Sequence, residues 1–277
     1  MKKLCLLLIL IINIFLLKAQ NLQQTIYYAD NLLNNGNIEQ AIKEYQRALL
    51  FSDTNNFELY NKLAYCFSKT GDNVNASKYY DLAFYNSDND SLKNSILLNK
   101  CYTFLLQNNF NLALIELYSM ADTLPASLNF RRNLYLGIAM YGLNDFSESE
   151  KYFLKCIPDS FSEKAKQIKT LFNLAQKTYN KNPYHSAIFS IFIPGLGQFI
   201  SGDYRNGINS IILVGSLWTL YSYILIKYSF LDAFLSIFPW IQRYYTGGFN
   251  DAYDAAIAKK EKKKEEIYIK ILENIGL

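Results

Sequence analysis

Between residues 36 and 156 the chain carries one pattern four times. In GNIEQAIKEYQRALLFSDTNN (36–56) Gly36 stands at a turn, and Ala41, Tyr45 and Ala48 fall on one face of a helix. Gly71, Ala76, Tyr80 and Ala83 repeat it, then Asn108, Ala113, Leu117 and Met120 with Pro125 closing the unit, then Asn144, Ser149, Phe153 and Cys156. Upstream of each turn a second helix repeats as well. Ala29, Ala64, Cys101 and Gly137 are its small residues, and Leu32, Phe67, Phe104 and Met140 lie three positions later. The period of 35–37 residues matches one helical hairpin per repeat, and a lone hairpin cannot bury its apolar face. Stacked hairpins can, so the pattern predicts an all-α solenoid.

The repeats resemble the tetratricopeptide repeat family over residues 22–160, as units 22–55, 57–90, 94–127 and 130–160. The large aromatic usual near the start of the first helix is present only as Tyr60; Thr25, Leu97 and Asn133 stand there in the other units. In the last unit Ser149 and Cys156 replace two alanines. The resemblance implies an inner face, built from the first helices, that binds peptide segments or helices of partner proteins. By repeat position that face would carry Asp30, Asn61, Tyr65, Leu98, Tyr102, Leu105, Arg131, Leu134, Ile138 and Tyr141. The basic set that clamps a carboxylate in some members is absent. Packing of Leu98, Leu105 and Ile138 against a neighbouring element is the competing expectation.

Residues 162–180 read as a capping helix for the solenoid, with Ser162 and Glu163 at its start and Ala165, Ile168, Phe172, Ala175 and Tyr179 along one side. Cys101 and Cys156 occupy small-residue packing positions and are expected as buried thiols.

The chain opens MKKLCLLLILIINIFLLKAQ: two lysines, an apolar run from Leu4 to Leu17, then Lys18-Ala19-Gln20. These are the three parts of a secretory signal peptide over residues 1–19, with an uncleaved anchor as the alternative. Lys2-Lys3-Leu4 before Cys5 is not a lipid-attachment pattern.

After Asn182-Pro183 the composition turns apolar. Gly207 to Ile226 holds no formal charge and is about 30 Å long as a helix, enough to span a bilayer. The flanking stretches 187–200 and 228–241 are shorter, one broken by Pro194 and the other holding Asp232 and Pro239. The expectation is a three-segment transmembrane hairpin bundle over 186–247, followed by a charged helical tail over 248–277. Exported repeats and a lysine-rich tail (Lys259, Lys260, Lys262, Lys263, Lys264) then call for three crossings, with the tail cytoplasmic.

The stretch FIPGLGQFISGDYRNG carries Pro194, Gly195, Gly197, Gln198, Gly202, Asp203 and Gly207. Together with YYTGGFNDAYDAA it resembles the TM2-like membrane modules of bacteria, over residues 186–256. That resemblance implies a turn at a membrane face and little about activity. Two sharper readings rest on the same residues. Asp203 with Asp232 would suit an intramembrane aspartyl protease, but Asp203 lies in a loop. Gln198, Asn209 and Asp232 would line a transport path in an oligomer. Asp232 beside a helix end, wet or paired with Arg243, is the plainer expectation.

His185 is the only histidine, no phosphate-binding glycine loop occurs, and the net charge of +4 is too weak to argue for nucleic acid. No metal or cofactor is expected. The sequence reading is a non-enzymatic scaffold in a bacterial inner membrane, with periplasmic repeats, bound to an unidentified envelope protein and to membrane lipid. A subunit of a membrane transport or protein-insertion assembly is the alternative.

Overall fold

The computed structural model describes residues 21–52, 56–121, 123–158 and 162–276. The expected signal peptide, residues 1–19, lies outside the described residues. Every regular element among those described is a helix, as an all-α chain requires. The chain divides into two compact units, Met1–Cys156 and Ile157–Leu277.

The first unit is a row of four helical hairpins: α1 (Leu22–Asn34) with α2 (Ile38–Phe51), α3 (Phe57–Thr70) with α4 (Asn73–Tyr85), α5 (Asp90–Leu106) with α6 (Phe110–Ser119), and α7 (Ala126–Gly142) with α8 (Phe146–Leu154). Each hairpin packs on the next. The four turn residues that recur in sequence share one backbone state, Gly36 and Gly71 at φ +79°, Asn108 at +58° and Asn144 at +63°. Glycine fills the first two turns and asparagine the last two because both reach the left-handed region that ends the first helix of a pair. Asp72 and Asp145 then cap the second helix by accepting from the N–H of Asn75 and Glu148.

The small residues do what their spacing demands. Ala29, Ala41, Ala48, Ala64, Ala76, Ala83, Cys101 and Ala113 are wholly buried where paired helices touch, beside the large Tyr45, Tyr80, Leu117 and Phe153. The departures in the last unit have a local reason. A Cβ on Gly137 would meet the Phe153 ring at 2.9 Å, and the Ser149 hydroxyl donates to the Gly137 carbonyl at 2.7 Å. The third and fourth first-helices start one turn earlier than their sequence boundaries at 94 and 130. Asn89 caps α5 by accepting from Ser91 and Leu92, and Pro125 immediately precedes α7.

The second unit contains α9 (Ser162–Tyr179), α10 (Tyr184–Phe192), α11 (Leu196–Ser201), α12 (Tyr204–Lys227), α13 (Phe230–Ser236) and α14 (Phe238–Ile275). Helix α9, expected as a cap on the repeats, belongs to this unit and packs along α14. Its stripe Ile168, Phe172 and Ala175 is buried, as are Ile267 and Ile271 of the tail. The charged tail is therefore one helix of an antiparallel pair with α9.

Of the three expected spanning segments, one is continuous. Helix α12 is the helix among the described residues that is long and apolar enough to cross a membrane, about 36 Å over 24 residues. Residues 187–200 break at Ile193, which is extended, and fold back as the short pair α10 and α11; residues 228–241 break at Ile237. Helix α14 then returns along α12. Lys259 donates to the Ile200 carbonyl at 2.8 Å, Lys260 lies 4.6 Å from the Tyr179 ring centre, and Tyr253 meets Tyr184. These contacts set the tail beside the segment that joins α9 to α11.

The hairpin packing predicts two mutational signatures. Ala41→Leu or Ala76→Leu should lower repeat stability by about 1–3 kcal/mol through overpacking. Gly71→Ala should cost about 1 kcal/mol for its positive φ, whereas Asn108→Gly should be neutral or stabilising. Urea unfolding monitored by circular dichroism measures both.

Candidate functional site

Two places bring together the residues singled out in the sequence. The first is the face of the first helices in the repeat unit. Tyr65 and Tyr102 are 45% and 44% exposed there, one turn from the strip formed by Lys62, Asn99 and Tyr135. The Tyr102 ring stacks on Tyr135 at 6.0 Å, and the Arg131 guanidinium lies 5.7 Å from the same ring. Arg131 also donates to Asn99 Oδ1 at 3.0 Å, so its charge is held over an aromatic shelf. Farther along, Lys62 reaches Asp30 at 2.7 Å and the Tyr45 hydroxyl donates to the same carboxylate. Burial, then the Asp30 bond, push the Tyr45 phenol upward.

Other members of the expected face are structural. Leu98, Leu105 and Leu134 are buried, the first two in the core of the third and fourth hairpins, with Ile138 half-buried against it. Tyr141 is only 4% exposed and meets Phe146 edge to face. These four buried residues are withdrawn as contact residues. Asn61 is half-buried.

Sequence reasoning missed Asn99 and Tyr135, although they lie three residues before Tyr102 and Ile138 on the same helical face. It also missed Lys100. That lysine stands at the position of Leu63 and Leu136, is 7% exposed, and contacts Asp81 and Glu116 at 2.7 Å each. Burial opposes its charge, yet the two carboxylate bonds outweigh burial and raise its pKa.

The second place is the glycine junction of the C-terminal unit. Pro194 follows the break after α10, and Gly195 turns the chain at φ +87° into α11. Gln198 is completely buried. Its Oε1 accepts from the Ser190 hydroxyl and its Nε2 donates to the Gly248 carbonyl, both at 2.9 Å, while Gly197 N–H donates to Ser190 Oγ at 2.9 Å. One side chain thus ties α10, α11 and α14 together.

Close approach explains the glycines. A Cβ on Gly195 would overlap the Gly207 carbonyl, one on Gly197 would overlap the Ser186 carbonyl, and one on Gly207 would come within 2.9 Å of the Phe199 ring. Gly248 faces Ser210 at 3.0 Å by the same measure. Gly202 ends α11 at φ +90°, and Asp203 caps α12 by accepting from Asn206 N–H.

Asp232 has a comparable role. It is exposed, and with Ser229 it forms the reciprocal cap of α13: Asp232 N–H donates to Ser229 Oγ, whose hydroxyl donates back to the carboxylate. No ion pair joins it to Arg243 among the described residues. Asp203 and Asp232 are each occupied in capping a helix.

The cysteines are packing residues. Burial pushes Cys66 up to about 11, and Cys101 and Cys156 up to about 12, so these thiols are protonated and poorly nucleophilic at neutral pH.

No protein-family model matches the chain, and no curated protein is significantly similar to it.

The junction makes a graded prediction for melting in detergent. Gln198→Leu keeps the volume but removes the bond to the Gly248 carbonyl and leaves the buried Ser190 O–H without its acceptor, costing about 1–3 kcal/mol. Gly197→Ala should be worse, since it collides with backbone. Asp203→Ala should lose only a cap, about 1 kcal/mol.

Proposed function

We propose that the protein is a non-enzymatic, membrane-attached scaffold of tetratricopeptide type, whose repeats capture an envelope protein and whose C-terminal unit, a TM2-like module, holds them at the bilayer. The observation that carries the reading is the aromatic shelf on the first helices, where exposed Tyr102 stacks on half-buried Tyr135 under Arg131 and exposed Tyr65 stands at the equivalent position one repeat earlier. Rigid aromatic rings and arginine are the side chains that concentrate binding energy at protein interfaces. Gln198, Asp203 and Asp232 of the membrane unit are already engaged, the first by Ser190 and the Gly248 carbonyl and the other two in helix caps. The transport alternative loses its strongest support with them.

In this reading α12 enters the bilayer and α13 with the start of α14 brings the chain back. The apolar side chains of α12 that face outward, among them Ile208, Ile212, Leu220 and Ile226, suit lipid. The tail and the repeats then share one side, and the export signal at residues 1–19 makes that side the periplasm of a Gram-negative bacterium. The lysine-rich tail runs against the usual cytoplasmic bias, and the leader together with the α9 to α14 contacts outweighs it.

Single-cysteine labelling with an impermeant maleimide in intact spheroplasts tests the arrangement. Gln40→Cys and Glu265→Cys should both react from outside and Lys227→Cys should not, while Cys66, Cys101 and Cys156 stay silent through burial. Labelling of position 40 without 265 contradicts it.

Partner capture from membranes tests the shelf. Tyr65→Ala or Tyr102→Ala should weaken retention by about 1–3 kcal/mol with melting unchanged. Tyr141→Ala should instead lower melting, because its ring is core.

A further inference from the structure

Beside the glycine junction the second unit encloses a cleft of about 510 Å³. Lys181, Lys259, Lys260, Lys263 and His185 line it, and no Asp or Glu does. None of the four lysines makes an ion pair among the described residues. Two are held in place, Lys259 by its bond to the Ile200 carbonyl and Lys260 over the Tyr179 ring. Crowding ammonium groups round one cavity costs Coulomb energy that an anion would reverse.

A second observation points the same way. Ser201, 9% exposed, lies in the wall of this cleft, and its buried hydroxyl has no hydrogen-bond partner. Buried polar groups left unpaired are costly, and a donor beside a lysine cluster is completed by an oxyanion. We propose that this cleft binds the phosphate group of an anionic phospholipid.

Phosphate is favoured over a carboxylate because it offers more acceptor oxygens to several separated ammonium groups and a hydroxyl. The cleft's position favours a lipid as its source. Ile200 and Ser201 stand just before Tyr204, where the candidate membrane helix begins. The exposed Phe189 and Phe192 of α10 and Ile208 and Ile212 of α12 offer apolar surface to acyl chains. A basic pocket at the mouth of a membrane helix is a physically sensible headgroup site. The proposal rests on the membrane reading of α12.

The test uses the full-length protein, its Lys181→Glu/Lys263→Glu variant, and a charge-matched Lys262→Glu/Lys270→Glu control on the same helix outside the cleft. Flotation with phosphatidylglycerol vesicles and with phosphatidylcholine vesicles reports membrane attachment. Native mass spectrometry from mixed micelles holding equal amounts of both lipids reports which lipid is retained. The wild type should retain phosphatidylglycerol over phosphatidylcholine by roughly tenfold or more. The cleft variant should lose that preference with unchanged helicity, and the control should keep it. Ser201→Ala should weaken retention without changing flotation.

Equal retention of both lipids by wild type, or a preference that survives Lys181→Glu/Lys263→Glu, overturns the site. Displacement of the lipid by millimolar inorganic phosphate assigns the cleft to a soluble ion and overturns the phospholipid assignment. Failure to float with either vesicle overturns the membrane reading instead, so the two claims fail separately.

Discussion

The C-terminal unit depends on one buried amide. Gln198 has no access to solvent, and its two polar ends are satisfied by Ser190 on α10 and by the Gly248 carbonyl on α14, fifty residues away in sequence. A polar group buried this deeply is stable only when every bond is made, and the bonds are possible only if the backbones come unusually close. Gly195, Gly197, Gly207 and Gly248 permit that approach. Small residues with one satisfied polar side chain are how helices associate where the surrounding medium is as apolar as the side chains. This buried amide fixes where α14 docks, and α14 in turn carries Lys259, Lys260 and Lys263 of the cleft and the stripe that meets α9.

The repeat unit solves the same problem differently. Its helices touch through alanines and a recurrent large residue, so the core was legible from spacing alone: Ala41, Tyr45 and Ala48 and their equivalents are buried as the pattern requires. The binding face was less legible, for a geometric reason. In a stack of hairpins the strip at Leu98 and Leu134, and the end positions Leu105 and Tyr141, pack into the core and leave solvent. The strip at Tyr65 and Tyr102 stays out. Helical periodicity says which residues share a face, but the rotation that divides that face between packing and solvent comes from tertiary contacts.

The membrane unit shows the other limit of sequence. PGLGQ and TGG announce close packing, yet which residue each glycine admits depends on contacts between residues 197 and 252, or 207 and 199. Apolar length suggested three spans because 187–200 and 228–241 are apolar. The breaks at Ile193 and Ile237 were marked locally by Pro194 and Pro239. The tail was legible only as a charged helix for a related reason: its lysines at 259–264 dominate the composition, whereas Ile267 and Ile271 on the next turns set the helix against α9.

The central claim is that the chain returns from α12 and lays its tail against the helix that follows the repeats. Cross-linking of a Tyr179→Cys/Lys260→Cys pair with a short bis-maleimide, in a chain whose three buried cysteines are replaced by alanine or serine and which sits in native membranes, tests it most directly. The account predicts rapid intramolecular cross-linking, because Lys260 sits over the Tyr179 ring at 4.6 Å, and loss of that cross-link when Gly197→Ala disrupts the junction. Two cysteines that each react with a monofunctional maleimide but never link to one another would contradict it.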